Sequence, residues 1–282
     1  MPGIDLHTHS SVSDGTETPA EVMAAAARAG LEVVALTDHD STAGWDEAIA
    51  ALPGTGLTLL PGLELSTQLD YASVHVLGYL VDPADSGLVA VTERIREERL
   101  HRAEAMVARI GADYALDWDD VLAQTTPGAT VGRPHIADAL VARGHVADRT
   151  AAFQTILHWR GGYYRPHDAP LPAEGVRVIT EAGGVAVIAH PGGRGPERLF
   201  TDRRIGQLVD AGLAGLEVDH RDNPPASRRR WEELAERYGL IVTGASDYHG
   251  AGKPNRLGEN TTGRAAYDAI VEWATGSAPV SG

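Results

Sequence analysis

The sequence predicts an α/β protein, a TIM-like (β/α)7 barrel with an inserted helical subdomain. Two patterns predict this fold: about seven short β-rich runs alternate with helical stretches, and the alternation stops over one long segment that has helical patterns alone. The length of 282 residues fits one α/β barrel plus an insertion. With 43% hydrophobic and 22% charged residues, the composition is that of a globular protein with a substantial core.

Each predicted strand is a short apolar run that ends in polar residues. The runs cover residues 3–6, 31–36, 57–60, 74–77, 185–189, 215–218 and 240–243. Between the first two runs, Thr18 and Glu21 have the spacing of a capping box, and Gly30 supplies a C-terminal stop. A helix between two such strands is typical of a βαβ unit.

The strand pattern disappears in the middle of the chain. Helical patterns there cover residues 93–110, 117–124, 134–143 and 150–159. We therefore predict a barrel domain made of residues 1–92 and 168–282, and a helical lid or substrate subdomain made of residues 93–167. The proline-rich stretch 166–172 marks the return to the barrel, and the Gly/Ser-rich end after Ala274 is expected to be a loose tail.

Charge and composition exclude several classes of protein. The 39 acidic and 24 basic residues leave a formal charge of -15, the wrong sign for binding long nucleic acid through its phosphates. The chain has no cysteine, which excludes a disulfide, a thiolate nucleophile and a Cys-ligated zinc. No apolar run approaches the roughly 20 residues that span a bilayer, and the N-terminus lacks a signal-peptide pattern, so we expect a cytoplasmic protein without a membrane partner.

Histidines and carboxylates recur where the predicted strands end. The imidazoles of His7 and His9, two residues apart, point to the same face of an extended strand and suit one metal ion. Alone, such a pair is more often structural or accidental than a metal site. Here it belongs to a larger set, most of which follows predicted strands. The set is His7, His9, Asp14, His39, Glu64, His75, His190, Asp247 and His249.

This set is expected to share one pocket, because the ends of different strands converge on one mouth in an α/β barrel. The alternative is a group of separately satisfied polar residues. So many titratable groups in one pocket would be costly without metal ions to compensate them. Nine ligands are too many for one ion and suit three divalent ions.

The motifs around these residues, taken together, closely resemble those of the PHP (polymerase and histidinol phosphatase) phosphoesterases. They are His7-x-His9, Thr37-Asp-His39, Gly62-x-Glu64, His75-Val-Leu-Gly78, His190-Pro191 and Ser246-Asp-x-His249. The resemblance covers nearly the whole chain outside the insertion and implies a distorted form of the predicted barrel. The length, the insertion and the segment Gly132-Arg-Pro-His135 resemble the branch that hydrolyses nucleoside 3',5'-bisphosphates.

Carried over position by position, the resemblance implies three metal sites. His7, His9, Glu64 and Asp247 would hold the first ion, Glu64 would bridge to a second ion held by His75 and His190, and Asp14, His39 and His249 would hold the third. The residues expected to carry catalysis are Glu64, His75, His190 and His249. Mn²⁺ is the expected metal, with Zn²⁺ and Fe²⁺ as alternatives, because imidazole with carboxylate suits these ions better than Mg²⁺. We expect in-line attack by a metal-bridging hydroxide, without a protein nucleophile.

Four further residues are candidate substrate contacts. Arg133 and His135 are expected at a helix N-terminus, where they would grip a second phosphate or would merely cap and solvate the helix. His220 follows the sixth predicted strand, and Lys253, the only lysine, follows the seventh. Each of these two would contact substrate or be an ordinary solvated residue.

The expected substrate is a small phosphorylated molecule. The resemblance implies removal of the 3'-phosphate from nucleoside 3',5'-bisphosphates such as pAp, which leaves the 5'-monophosphate, together with 5'-to-3' trimming of short RNA. A histidinol phosphatase, or another small-molecule phosphomonoesterase, would have the same ligand spacing and stays an alternative. An alternative of another class is a noncatalytic PHP module with a structural or regulatory role. Nothing in the sequence predicts the oligomeric state.

Overall fold

The strands of this protein curl into one nearly closed barrel, which confirms the predicted fold class. The computed structural model describes residues 3–193 and 199–282. The strands are β1 Gly3–Asp5, β2 Leu31–Leu36, β3 Thr58–Leu69, β4 Ala72–Tyr79, β5 Val185–Ile188, β6 Leu213–Asp219, β7 Ile241–Gly244 and β8 Val280–Ser281. Strands β1 to β7 are neighbours in chain order. A parallel bridge between Thr8 and Tyr248 joins the segments that follow β1 and β7.

Helices follow most of the strands and also fill the middle of the chain. They are α1 Pro19–Arg28, α2 Trp45–Ala50, α3 Ser86–Ile110, α4 Trp118–Leu122, α5 Arg133–Ala142, α6 Arg149–Gln154, α7 Pro172–Glu181, α8 Asp202–Asp210, α9 Pro225–Tyr238 and α10 Arg264–Trp273. The predicted capping box begins α1, because the side chains of Thr18 and Glu21 each accept the other's backbone N–H. Across the described residues, no helix has both the length and the apolar character needed to cross a membrane.

The region from β3 to β5 departs from a regular parallel barrel. Strand β4 runs antiparallel to both β3 and β5, whereas the remaining pairs among β1 to β7 are parallel. Asp70 and Tyr71 connect β3 directly to β4 with φ angles of 48° and 65°, as in a type I' turn. The sequence interpretation missed this hairpin, since such turns are usually recognised by Asn-Gly or Asp-Gly. Because β4 is reversed, its beginning lies at the end of the barrel where the parallel strands finish.

The end of the chain is not the loose tail that its Gly and Ser content predicted. Strand β8 pairs antiparallel with Thr58 and Leu59 of β3, and the N–H of Gly276 donates to the carbonyl of Gly183. A Cβ atom on Gly276 would lie 2.3 Å from the backbone nitrogen of Asp82. The small residues of this segment therefore allow close backbone packing and do not indicate flexibility.

Apolar side chains cover both faces of the sheet and form a further cluster among the middle helices. Val33 and Val34 are adjacent in β2 and both are buried, but in different clusters. Helix α3 contributes Leu88 to the cluster beside the barrel and Met106 to the cluster formed with α5 and α6. Because one continuous helix joins the two clusters, a domain division at residue 93 stays a prediction.

Candidate metal centre and substrate cavity

All nine predicted ligands lie close together at one end of the barrel and are buried. They come from the segment after β1 (His7, His9 and Asp14), the segment after β2 (His39), the hairpin (Glu64 in β3 and His75 in β4), the segment after β5 (His190) and the segment after β7 (Asp247 and His249). We call this set the histidine–carboxylate cluster. The structure brings the nine residues together, and their individual roles as ligands stay a prediction.

One corner of the cluster has the spacing of a metal-ligand shell. The Nε2 atoms of His7 and His9 lie 3.0 Å apart. Asp247 Oδ1 lies 3.5 Å from the first of these atoms and 3.4 Å from the second. Tetrahedral ligands at about 2.0–2.2 Å from an ion are about 3.3–3.6 Å from one another. The two separations to Asp247 fall in this range and the separation between the two imidazoles, at 3.0 Å, is shorter, so the three donor atoms converge closely enough to suit a common cation.

Glu64 is at the centre of the cluster. Its carboxylate lies within 3.4 Å of the imidazoles of His7, His9, His39, His75 and His190. Burial by itself would raise the pKa of Glu64, but His75, His39 and His7 hold that pKa well below its usual value. The carboxylate is therefore ionised, and both of its oxygens contact imidazoles, as a bridging ligand would require.

Asp14, His39 and His249 form another corner. Asp14 Oδ1 is 3.1 Å from His249 Nε2, and Asp14 Oδ2 is 3.8 Å from His39 Nε2. Asp14 Oδ1 and His249 Nε2 are buried, and beyond their contact with each other neither makes a hydrogen bond within the described part of the chain. A buried polar atom without a hydrogen bond costs about 1–3 kcal/mol. A divalent cation would offset that cost, and the donors present fit such an ion.

The charges within the cluster are closely coupled. Burial opposes protonation of His7, but Glu217, Glu64 and Asp247 raise its pKa well above the usual value. Imidazoles bind metal ions only when the coordinating nitrogen is deprotonated. Binding of divalent ions at this site would therefore release protons.

Glu217, in β6, is a site residue that the sequence interpretation missed. Its Oε1 lies 2.9 Å from His7 Nδ1, and its Oε2 accepts the backbone N–H of His190 at 2.8 Å. The hydrogen bond to Nδ1 directs the Nε2 atom of His7 to the cluster. A charged residue within the apolar strand run Gly215-Leu-Glu-Val was the signal that could have revealed it.

Two members of the cluster have a strained backbone. His190 has a φ angle of 28° and Asp247 one of 54°, values that residues other than glycine seldom adopt. Each is held by a neighbour: Glu217 accepts the N–H of His190, and Lys253 Nζ lies 2.7 Å from Asp247 Oδ2. Backbone strain of this kind costs about 1–3 kcal/mol and clusters at functional sites.

A cavity of about 520 Å³ opens onto the cluster. Three of the nine residues line it, namely Asp14, His39 and His75. A group of cationic and aromatic residues lines it as well, and we call this group the arginine wall. The arginine wall consists of Arg99, Arg102, Arg133, Phe153 and Tyr164. One cavity thus joins a candidate metal centre to a positively charged surface.

Ring and carbonyl contacts hold Arg102 and Arg133 in place, and Arg99 is held by an ion pair of 2.8 Å with the buried Asp40. The guanidinium carbon of Arg133 lies 5.2 Å from the ring centroid of Phe153 and 5.5 Å from that of Tyr164. The guanidinium of Arg102 lies 5.3 Å from the Tyr164 ring, and its Nε donates to the carbonyl of Arg165 at 2.7 Å. A guanidinium that stacks on an aromatic ring can bind a phosphate through the edge of its plane.

Two of the four predicted substrate contacts reach the cavity. Arg133 is the first residue of α5 and lines the cavity. Lys253 also lines it, and its ion pair with Asp247 makes it a residue that positions this carboxylate.

The other two predicted contacts lie away from the cavity surface. His135 is 3% exposed, and its Nδ1 accepts the N–H of Gly132, which caps α5. His220 is fully buried, and its ring packs against that of His190 with centroids 5.2 Å apart. Neither histidine lines the cavity, and a contact of either one with substrate stays a prediction.

Comparison with known proteins identifies the class. The PHP domain family matches residues 5–140, and the chain belongs to that family. Together with the fold and the buried groups of metal-binding side chains, this membership makes the protein a metal-dependent phosphoesterase.

Individual relatives are similar over most of their length. The chain is 37% identical to a 3',5'-nucleoside bisphosphate phosphatase from Chromobacterium violaceum, over 91% of this chain and 90% of that protein. It is 35% identical to a phosphoribosyl 1,2-cyclic phosphate 1,2-diphosphodiesterase from Eggerthella lenta, over 87% and 94% of the two chains. It is 30% identical to a 5'-3' exoribonuclease from Haemophilus influenzae, over 87% and 89%. A crystal structure from Bifidobacterium adolescentis, provisionally described as a metal-dependent phosphoesterase, superimposes with a TM-score of 0.93 at 43% identity and covers 97% of each chain.

Proposed function

We propose that the protein removes the 3'-phosphate of nucleoside 3',5'-bisphosphates such as pAp and leaves the 5'-monophosphate. The observation that carries this proposal is the composition of one cavity: Asp14, His39 and His75 of the histidine–carboxylate cluster and Arg133 of the arginine wall line the same space. A substrate with two phosphates matches two separate anion-binding features. The name of the Chromobacterium violaceum relative supports the same substrate class.

The nine residues of the cluster would hold up to three divalent ions, with Mn²⁺ preferred and Zn²⁺ or Fe²⁺ as alternatives. The proposed sets are His7, His9, Glu64 and Asp247 for one ion, Glu64, His75 and His190 for a second, and Asp14, His39 and His249 for a third. When bound, such ions supply a nucleophile at neutral pH and neutralise charge on the phosphoryl oxygens. Four of these residues are also the proposed catalytic residues. Glu64 belongs to the first and second metal sites, His75 and His190 belong to the second, and His249 belongs to the third.

The protein's own residues hold this arrangement in place. Glu217 keeps His7 in the orientation that presents Nε2, and Lys253 restrains Asp247 from the cavity side. Arg133 would bind the phosphate that is not hydrolysed, since its ring contacts with Phe153 and Tyr164 fix the guanidinium at the cavity. The helical segment of residues 93–167 would act as the lid that supplies this contact.

Trimming of short RNA from the 5' end would use the same groups. In a 5'-phosphorylated RNA, the bond between phosphorus and O3' of the first nucleotide corresponds to the bond that is broken in pAp. The exoribonuclease relative supports this second activity. No partner larger than a short oligonucleotide is proposed, because the formal charge of -15 opposes long nucleic acid.

The proposed function is tested by measuring phosphate release from pAp, 3'-AMP and histidinol phosphate with Mn²⁺ supplied. We expect kcat/KM for pAp to exceed that for 3'-AMP by roughly 10- to 100-fold, because only pAp has a second phosphate for the arginine wall. Equal values for pAp and 3'-AMP would contradict the two-phosphate specificity. Preference for histidinol phosphate would favour the alternative phosphatase, and no turnover with any divalent metal would favour a noncatalytic module.

A further inference from the structure

His167 is a buried histidine at the cavity surface that none of the functions assigned above uses. It is 9% exposed and lines the cavity. Neither of its ring nitrogens has a hydrogen-bond partner among residues 3–193 and 199–282. Burying two polar atoms without partners is unfavourable. A group of this kind at the wall of a cavity indicates a ligand that completes its hydrogen bonds.

The backbone around His167 is fixed from both sides. Gln68 of β3 donates its side-chain amide to the carbonyl of His167 and its backbone N–H to the carbonyl of Pro170. Arg102 of α3 donates to the carbonyl of Arg165. The imidazole is therefore placed at the cavity by the barrel and by helix α3 together, so its position does not depend on bonds made by its own ring.

The surroundings of His167 are cationic. Burial, followed by the charges of Arg99 and Arg102 and smaller contributions from His75 and Arg133, lowers the pKa of His167 to about 3. Burial and Arg99 also lower the pKa of Arg102 to about 10, and no carboxylate of the described residues lies within ion-pair distance of Arg102. His167 is thus a neutral imidazole with one N–H to donate. Arg99 beside it is ion-paired with Asp40 at 2.8 Å, so an anion here would chiefly compensate the charge of Arg102.

We propose that His167 joins Arg102 and Arg133 in binding the terminal 5'-phosphate of the substrate, the phosphate that is not hydrolysed. This inference rests on the proposed function and assigns His167 a part that had been expected of His135. The neutral imidazole donates one hydrogen bond to a phosphate oxygen, and the two guanidinium groups supply the charge. Both guanidinium groups contact the Tyr164 ring, with their carbons 5.3 Å and 5.5 Å from its centroid, so one anion beside this ring would be within reach of both.

Two substrates present this chemistry, a nucleoside 3',5'-bisphosphate and a 5'-phosphorylated oligoribonucleotide. In both, the oxygen of water forms a bond to phosphorus, the bond from phosphorus to O3' breaks, and O3' gains a proton. His167 does not take part in these changes. It is a specificity residue, and its substitution should affect only substrates that have a 5'-phosphate.

The test measures kcat and KM of the metal-loaded full-length enzyme for pAp and for 3'-AMP. For His167→Ala we expect kcat/KM for pAp to fall roughly 10- to 100-fold, mainly through KM, with less than about a twofold change for 3'-AMP. His167→Gln keeps an N–H donor and should restore part of the loss. His101→Ala, on the exposed side of α3, is the matched control and should leave both substrates unchanged.

A second measurement separates binding from turnover. Inhibition by 5'-AMP should weaken in His167→Ala by the same factor as the loss for pAp, while inhibition by adenosine should not change. Parallel assays use a 5'-phosphorylated and a 5'-hydroxyl RNA trinucleotide. Together with the pAp assay, they tell whether the site takes the 5'-phosphate of a nucleoside bisphosphate, that of RNA, or both.

Failure of this inference and failure of the proposed function give different results. If the wild type prefers pAp and both His167 variants keep that preference in full, the 5'-phosphate site does not include His167. If the wild type treats pAp and 3'-AMP alike, the proposed function and this inference both fall. If His167→Ala does not fold, the test uses His167→Gln alone. The assignment would be overturned if folded His167→Gln kept the full wild-type preference for pAp over 3'-AMP and was inhibited by 5'-AMP as strongly as the wild type.

Discussion

The histidine–carboxylate cluster and the arginine wall face the same cavity but are built in opposite ways. The cluster comes from strands and strand ends of the barrel, its residues are buried, and each carboxylate contacts several imidazoles. The wall comes from α3, α5, α6 and the segment that returns to the barrel. Arg102 and Arg133 contact aromatic rings, and Arg102 also contacts a backbone carbonyl, whereas Arg99 is ion-paired with the buried Asp40.

Under the proposed function, this difference assigns the two parts of the reaction to different regions of the chain. The cluster is attached to the packed sheet and would act on any phosphate that reaches it. The wall would present charge to the rest of the substrate and so determine which phosphate esters are favoured. Changes in the cluster should therefore lower activity on all substrates, and changes in the wall should lower it on some.

The strongest test of the comparison is Glu64→Gln. We expect activity on pAp and on 3'-AMP to fall by at least roughly a thousandfold, because the substitution removes the charge that five imidazoles share. Kinetics and metal content by elemental analysis measure the effect. Glu174→Gln, a partly exposed glutamate paired with Arg94, is the control. Near wild-type turnover with normal metal content would show that Glu64 does not bridge metal ions.

The wall is tested by Arg133→Ala. We expect kcat/KM for pAp to fall by roughly 100-fold, the range for a charge-assisted contact to phosphate, with little change for 3'-AMP. Arg143→Ala, at the C-terminal end of the same helix and ion-paired with Asp120, is the matched control. Equal losses on the two substrates would mean that Arg133 supports the cluster and does not select substrate.

Glu217→Gln tests whether the cluster depends on hydrogen bonds behind it. The change keeps the size of the side chain but removes the charged acceptor of His7 Nδ1. We expect a 10- to 100-fold loss in metal affinity or activity, approximately the effect of losing such a partner. Metal titration monitored by activity measures it, with Glu233→Gln on the exposed side of α9 as the control. Unchanged metal affinity would indicate that Glu217 serves only the fold.

The sequence predicted the barrel and the location of the cluster because both depend on local patterns. The runs that became β2, β4 and β6 end close to where they were expected, and motifs such as His7-x-His9 follow strands directly. The hairpin of β3 and β4 was missed, since Asp70-Tyr71 is an uncommon type I' turn.

Residues that act through tertiary contacts were harder to predict. Neither Glu217 nor His167 has a recognisable motif around it. Glu217 contacts His7, which is 210 residues away in the sequence. The role proposed for His167 depends on how α3 and β3 hold the segment around it. His135 was predicted correctly at a helix N-terminus, but its ring turned out to cap that helix. A position in sequence does not decide which way a side chain faces.

The smallest effect is expected at Tyr71, on the tip of the hairpin whose body carries Glu64 and His75. Tyr71 lines the cavity, is 84% exposed and has a φ angle of 65°. Tyr71→Gly creates the favoured Asp-Gly turn and should raise the free energy of unfolding by roughly 1 kcal/mol, seen as a rise in Tm of about 2 °C. Ala72→Gly, the next residue in a regular strand, should lower stability by about 0.5–1 kcal/mol. Because the cluster is attached to the hairpin body, turnover of 3'-AMP should not change; a loss there would show that the tip helps to position Glu64 and His75.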